Sequence, residues 1–419
     1  MNIAKLLKGQ NCNCGKVHSC NIKKVVIKQG AINEIYDLVS EYNSIIVVAD
    51  KNTYKVCGKD VQLRLKEKLS SSLVFQDDLL IPDESAIERL NNAISDKNDL
   101  VLGVGSGVIQ DLCKYVSFKR NMPYFIVATA PSMDGYASAG AAMITGNMKV
   151  TYDARVPQAI IADTDVLKNA PTEMIQSGYG DIIGKLSCLN DWRLAAEVNN
   201  EYFCEYVYNL TMQMTDSIKN DGSLLVKRDP EAIKKLMEAL VGVGIAMAYV
   251  GNSRPASGSE HHMSHFFEIV GILNNEPYFM HGTDVAYSTL CTCRMREEIL
   301  KIDIPKQAQP FNRTKWESKI KSVYTIAADS VIALQNKAGV YKSDKITVYK
   351  SKWNNIRKIL SDSPKADEIQ KYLESVGLDI NNFEKMYGKE KIENAKWFAK
   401  DLKDRYSVLW LYYCLFCRL

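Results

Sequence analysis

The chain has 419 residues, 46% of them hydrophobic and 24% charged, a length that suits two domains and a composition that excludes a disordered or fibrous protein. Its 53 basic and 49 acidic side chains leave a formal charge of +4 and form no long basic run, which argues against nucleic acid as a partner. No run approaches the roughly 20 apolar residues of a membrane span, and MNIAKLLKGQNCNCGK lacks a signal-peptide core, so a cytoplasmic protein without a membrane span is expected.

In chain order, NCNCGKVHSC comes first and places Cys12, Cys14, His18 and Cys20 within nine residues. That is enough thiolate and imidazole for a tetrahedral zinc site, although the C-x-C spacing is tighter than in usual zinc knuckles, and a terminal segment that packs or stays mobile is the competing reading. The eleven cysteines lie mostly in apolar segments, which suits buried thiols in a reducing compartment. VVIKQGAINEIYDLV begins as a strand and turns at Gly30 into a helical pattern with Ile32, Ile35, Leu38 and Val39 on one face. SIIVVAD is a continuous apolar strand ending in Asp50, of the kind buried on both faces of a parallel sheet. A charged helix follows at 60–69, then a strand at 72–77, a helix at 83–95, a strand at 99–105, a helix from about 107 to 118, and strands at 123–131 and 157–163. This alternation predicts a Rossmann-like, doubly wound α/β domain over residues 1–165. Helical periodicity then dominates at 186–219, 231–250, 285–300, 315–337 and 395–417, so residues 166–419 are expected to form an all-α domain. The apolar tail VLWLYYCLFC (408–417) reads as a buried helix or a contact between copies of the chain.

LVLGVGSGVIQDLCKY is a strand, a glycine turn and a helix start, where Gly103, Gly105 and Gly107 let the backbone approach a ligand and the helix offers free N–H groups to an anion. Val108 breaks the G-x-G-x-x-G fingerprint. Asp50, at an earlier strand end, suits the hydroxyls of an adenosine ribose, or is an ordinary turn residue. ATAPSMDGYAS (128–138) adds hydroxyls and a carboxylate past another strand end, where open α/β sheets bind ligands.

Four of the five histidines fall in a short window, three of them in GSEHHMSH. On a helix His261 and His265 share a face, while His262 points elsewhere. The string is not H-E-x-x-H, so the metalloprotease pattern is absent. GYGDIIGK supplies Asp181, one of 49 acidic residues, and spacing alone does not single it out. One carboxylate with two imidazoles would leave an open position on a divalent metal.

GVGSGVIQD, TAPSMDGYASAG, GYGDIIGK, SRPASGSEHHMSH and MHGTDVA, in this order between about residues 25 and 300, resemble the sn-glycerol-1-phosphate dehydrogenases. These belong to the superfamily of metal-dependent alcohol dehydrogenases, glycerol dehydrogenase and dehydroquinate synthase. The resemblance implies a dehydroquinate synthase-like fold and reversible reduction of dihydroxyacetone phosphate to sn-glycerol 1-phosphate by NADH or NADPH. It implies Asp181, His261 and His281 as ligands of one divalent metal, zinc first and nickel or iron as alternatives. Asp134 and His265 match substrate contacts, with His265 or water delivering the proton. Gly105, Ser106, Gly107, Val108, Ile109, Thr129, Ser132 and Ser138 match the dinucleotide site, and Asp50 fits its ribose position. Arg254 or Lys185 is the guess for the phosphate. A homo-oligomer is expected. The alternatives are glycerol dehydrogenase or another polyol or polyol-phosphate dehydrogenase of the superfamily and, from another class, a nucleotide- and metal-binding sensor without turnover.

Overall fold

The computed structural model describes residues 2–146, 148–343 and 345–417. Their strands are β1 (Gln10–Asn11), β2 (Val17–His18), β3 (Lys24–Lys28), β4 (Ile45–Asp50), β5 (Leu69–Phe75), β6 (Leu100–Gly105), β7 (Tyr124–Ala128), β8 (Gly140–Thr145), β9 (Met148–Asp153) and β10 (Ala159–Asp163). Six of them form one sheet in the order β3-β10-β7-β6-β4-β5, with every neighbouring pair parallel. The pleat of β4 shows why SIIVVAD reads as a central strand. Ile45, Val47 and Ala49 enter one hydrophobic core, Ile46 and Val48 enter the core on the opposite face, and all five are fully buried. Burying each Val or Ile contributes roughly 1.5–3 kcal/mol.

From β4 the chain steps outward to β5, then returns to the other side of β4 for β6 and continues to β7 and β10. The winding therefore reverses between β4 and β6, and their carboxyl ends, at Asp50 and Gly105, flank the crevice where doubly wound sheets take ligands.

After β10 the regular elements among the described residues are all helical, in line with the expected all-α second half. Three of the long periodic stretches are interrupted. Residues 186–219 belong to helices Thr172–Asn199 and Glu205–Asp216, separated after Asn200 takes a φ of 54°. Residues 315–337 split into Arg313–Tyr324 and Ala328–Ala338 at Thr325, whose φ is 46°. Residues 395–417 divide between the end of Ile380–Phe398 and the separate Val408–Phe416 helix. A break of a few residues leaves the 3.6-residue pattern nearly in phase, so periodicity alone does not reveal it. The 408–416 helix buries Val408, Leu409, Trp410, Leu411, Tyr412 and Leu415, which accounts for its apolar sequence within a single chain. The antiparallel hairpins β1–β2 and β8–β9 were not foreseen, since two of their strands have only two residues and the other pair is Gly-, Ala- and Thr-rich.

By packing, the chain forms two compact units, Met1–Gly178 with Asp216–Asn252, and Tyr179–Thr215 with Ser253–Leu419. The boundary expected at 165/166 falls within the first unit, which also takes in the Pro230–Val250 helix. There Gly244 allows contact with the 134–137 turn: a Cβ at that position would lie 2.7 Å from the Ala137 Cβ and 2.9 Å from the Asp134 carbonyl oxygen. No helix among the described residues is long and apolar enough to cross a membrane.

Candidate metal and dinucleotide sites

In the second unit, three helices bring their polar residues to one point. Asp181 lies on the Thr172–Asn199 helix, His261 and His265 on Ser259–Asn274, and His281 opens His281–Leu300. Glycines set the approach of the first and last of these. A Cβ at Gly180 would collide with the Gly282 carbonyl oxygen, and one at Gly184 with the Val285 side chain. The glycines of GYGDIIGK thus let Asp181 reach the turn that carries His281.

One donor atom from each of Asp181, His261 and His281 lies within 4.8 Å of the others. His261 Nε2 is 3.5 Å from Asp181 Oδ1, close to the roughly 3.4 Å that separates a nitrogen and an oxygen on a tetrahedral zinc ion. The imidazoles are also oriented for ligation. His261 Nδ1 is 2.7 Å from Glu260 Oε1, and since a carboxylate only accepts, Nδ1 carries the proton and Nε2 faces Asp181. The Ser264 hydroxyl donates to the His281 carbonyl and lies 3.2 Å from His281 Nδ1. Having used its hydrogen there, it accepts from Nδ1–H, which leaves the lone pair on Nε2. An oxygen, two oriented nitrogens and a polarising carboxylate behind one of them fit a divalent cation.

Neighbouring side chains set the charge state of the cluster. Burial by itself raises the Asp181 carboxyl, but the Lys185 ammonium, 2.7 Å from Oδ1, together with His261 and His281 holds it far below the usual carboxylate range. Burial pulls His261 down, and its bonds to Asp181 and Glu260 more than offset this, so it titrates above its ordinary value. Glu260 is lowered despite burial, through His261 and the Gly258 amide. His265 stands beside the cluster, its ring centroid 5.2 Å from that of His281 and its Nδ1 3.6 Å from Glu268 Oε2. His262 points away, as helical geometry requires. It is completely buried, and burial with Arg405, Lys403 and Arg254 nearby pushes its pKa well below the ordinary value, so it stays neutral.

In the first unit the glycine turn runs from β6 into the Gly107–Lys119 helix. A Cβ at Gly105 would lie 2.6 Å from the Ile109 Cβ, whereas one at Gly107 would meet only the end of Met133, at 3.8 Å. Gly105 is therefore required by packing, and the space in front of Gly107 lets a ligand approach the helix N-terminus. Val108 follows on that first turn, half-buried, and Ile109 is buried beneath it. The hydroxyls of Ser106 and Ser132 are 2.7 Å apart, and the Thr129 amide donates to the Gly105 carbonyl. Ser138 donates to the Gly135 carbonyl and receives the buried Lys114 ammonium. Asp134 opens a short turn of 3-10 helix beside these residues. Asp50 caps the turn after β4, its Oδ1 accepting from the Asn52 and Thr53 amides.

Neither residue guessed for the phosphate stands uncommitted. Arg254 is buried, holding Glu201 through Nε and Nη2 and the Tyr406 carbonyl through Nη1. Lys185 is bound to Asp181 and to the Ala256 carbonyl. Sequence reasoning also passed over Glu260, Ser264 and Glu268. The available signal was their position: Glu260 stands one residue before His261, Ser264 three after it, and Glu268 three after His265 on the same helix.

Residues 26–171 match the family model described as iron-containing alcohol dehydrogenase. The glycerol-1-phosphate dehydrogenase [NAD(P)+] of Geobacillus thermodenitrificans is 33% identical over 75% of this chain and 80% of its own. The enzyme of that name from Halalkalibacterium halodurans is 28% identical over 96% of this chain and 95% of its own. Among solved structures, an archaeal halo-thermophilic alcohol dehydrogenase from a Red Sea brine pool superposes with a TM-score of 0.62 at 15% identity, covering 93% of each chain.

Proposed function

The chain belongs to the glycerol-1-phosphate dehydrogenase family of NAD(P)-dependent oxidoreductases, and from that membership we propose that it reduces dihydroxyacetone phosphate reversibly to sn-glycerol 1-phosphate. The observation that carries the reading furthest is the convergence of Asp181, His261 and His281 donor atoms within 4.8 Å, with both imidazoles turned to present Nε2. When bound, a divalent cation supplies Lewis acidity toward the carbonyl oxygen, and the nicotinamide supplies the hydride.

The chain's own residues do the rest. Asp181, His261 and His281 hold the cation, and Glu260 fixes the His261 ring and raises its basicity. The turn Gly105, Ser106, Gly107, Val108 and Ile109 receives the dinucleotide phosphates at a helix N-terminus. Thr129, Ser132 and Ser138 line its other side, and the Asp50 carboxylate marks the ribose end. Asp134 accepts a hydrogen bond from a substrate hydroxyl. His265, backed by Glu268, gives a proton to the substrate oxygen as the carbon takes the hydride, and takes it back in the reverse direction. The reading includes a cytoplasmic homo-oligomer.

The test is NADH oxidation by chelator-stripped protein, with zinc or nickel restored, given dihydroxyacetone phosphate or dihydroxyacetone. Metal-dependent turnover of the phosphate ester alone supports the proposal. Turnover of the unphosphorylated ketone instead moves the enzyme to glycerol oxidation, and silence with both overturns the assignment.

A further inference from the structure

The cysteine-rich start lies outside the chemistry described above, and the first unit gives it a definite shape. β1 and β2 pair as a hairpin, Gln10 with His18 and Asn11 with Val17. The Cys12 amide bonds the Lys16 carbonyl, and the Gly15 amide bonds the Cys12 carbonyl. Gly15 has a φ of 85°, a left-handed conformation that glycine adopts in a tight turn without a Cβ clash. Cys12, Cys14 and His18 each place a donor atom within 4.8 Å of the others.

His18 is the informative member. It is completely buried, and its Nδ1 is 3.0 Å from the Tyr249 carbonyl oxygen. A carbonyl only accepts, so Nδ1 carries the hydrogen and Nε2 keeps its lone pair. Nε2 is 3.5 Å from Cys14 Sγ. A nitrogen and a sulfur bound to the same tetrahedral zinc ion are separated by roughly 3.6 Å. An imidazole whose far N–H is held by a backbone carbonyl is also the usual outer arrangement of a zinc-ligating histidine. Cys20 is buried, and its thiol is not among the donor atoms that gather here.

We propose that Cys12, Cys14 and His18 supply three of the ligands of a structural zinc ion that fastens the N-terminal hairpin to the first unit. Soft thiolate donors with one imidazole select zinc over the harder divalent cations. The fastening point is the end of the Pro230–Val250 helix: His18 stacks on Tyr249 with ring centroids 5.3 Å apart, and the Tyr249 hydroxyl donates to the Leu6 carbonyl.

Cobalt(II) separates this site from the one at Asp181, because only thiolate ligands give a sulfur-to-cobalt charge-transfer band and the Asp181, His261, His281 set contains none. Metal-free full-length protein titrated with cobalt should develop that band, and Asp181→Asn should retain it. Cys12→Ser combined with Cys14→Ser should abolish it and lose one zinc equivalent per chain, and His18→Ala should weaken it. A full-length chain that gives no band, or a double variant that keeps it, overturns the proposal. Should the double variant fail to fold, alkylation of the unaltered chain decides. Cys12 and Cys14 should be protected by added zinc and modified after chelation, and equal modification in both conditions refutes the site.

Discussion

A single carboxylate illustrates how much of the site depends on residues that never touch substrate. Glu260 accepts the His261 Nδ1 hydrogen, so Glu260→Gln should lower metal affinity by roughly 10–100-fold, as read by competition with a chromophoric chelator. The same contact gives metal binding a pH dependence. In the metal-free protein His261 titrates above its ordinary value, and its protonated form must give up that proton to the incoming metal. Affinity should therefore fall as pH drops through the raised pKa, by up to about tenfold per pH unit for one proton, and flatten above it. Calorimetry in buffers of different ionisation enthalpy measures the proton released. Binding that releases none would contradict the assignment. At this scale the sequence was only partly legible: the i, i+4 spacing of His261 and His265 was visible, but the partners that set their tautomers were not.

Between elements, glycine decides which residues meet. Alanine is the better helix former by about 1 kcal/mol, yet a Cβ at Gly180 collides with the Gly282 backbone, so Gly180→Ala should destabilise the chain by roughly 1–3 kcal/mol and weaken metal retention. Urea unfolding and metal content read the two effects separately. Gly107 is the contrasting case. A Cβ there meets only a flexible methionine end, so Gly107→Ala should leave the unfolding midpoint unchanged while raising KM for the dinucleotide. An unaltered KM would remove the anion-approach role of this turn. The strands around Gly107 were readable because a both-faces-buried strand is apolar throughout. The helix breaks at Asn200 and Thr325 were not, because a short interruption hardly disturbs the phase of the pattern.

For the whole molecule, each ligand should stabilise the unit that binds it, by RT ln(1 + [L]/Kd), about 2.7 kcal/mol at a hundredfold excess over Kd. Thermal unfolding with NADH alone, zinc alone and both should show each ligand raising the midpoint, and a dinucleotide that leaves it unchanged would exclude the glycine turn as its site. The sequence by itself determined the parallel sheet, the glycine turn after β6, the helical second half and the histidine cluster, because each is written in neighbours a few residues apart. Its resemblance to a known family, not its spacing, drew attention to Asp181. Only tertiary structure decided that Asp181 meets His261 and His281, that Glu260 and Ser264 orient them, and that Arg254 and Lys185 are committed to Glu201 and Asp181. Apart from Glu260 beside His261 and Lys185 four residues from Asp181, those pairings join parts of the chain far apart in sequence, and the force that selects them is close packing of helices around buried charge, which no local pattern encodes.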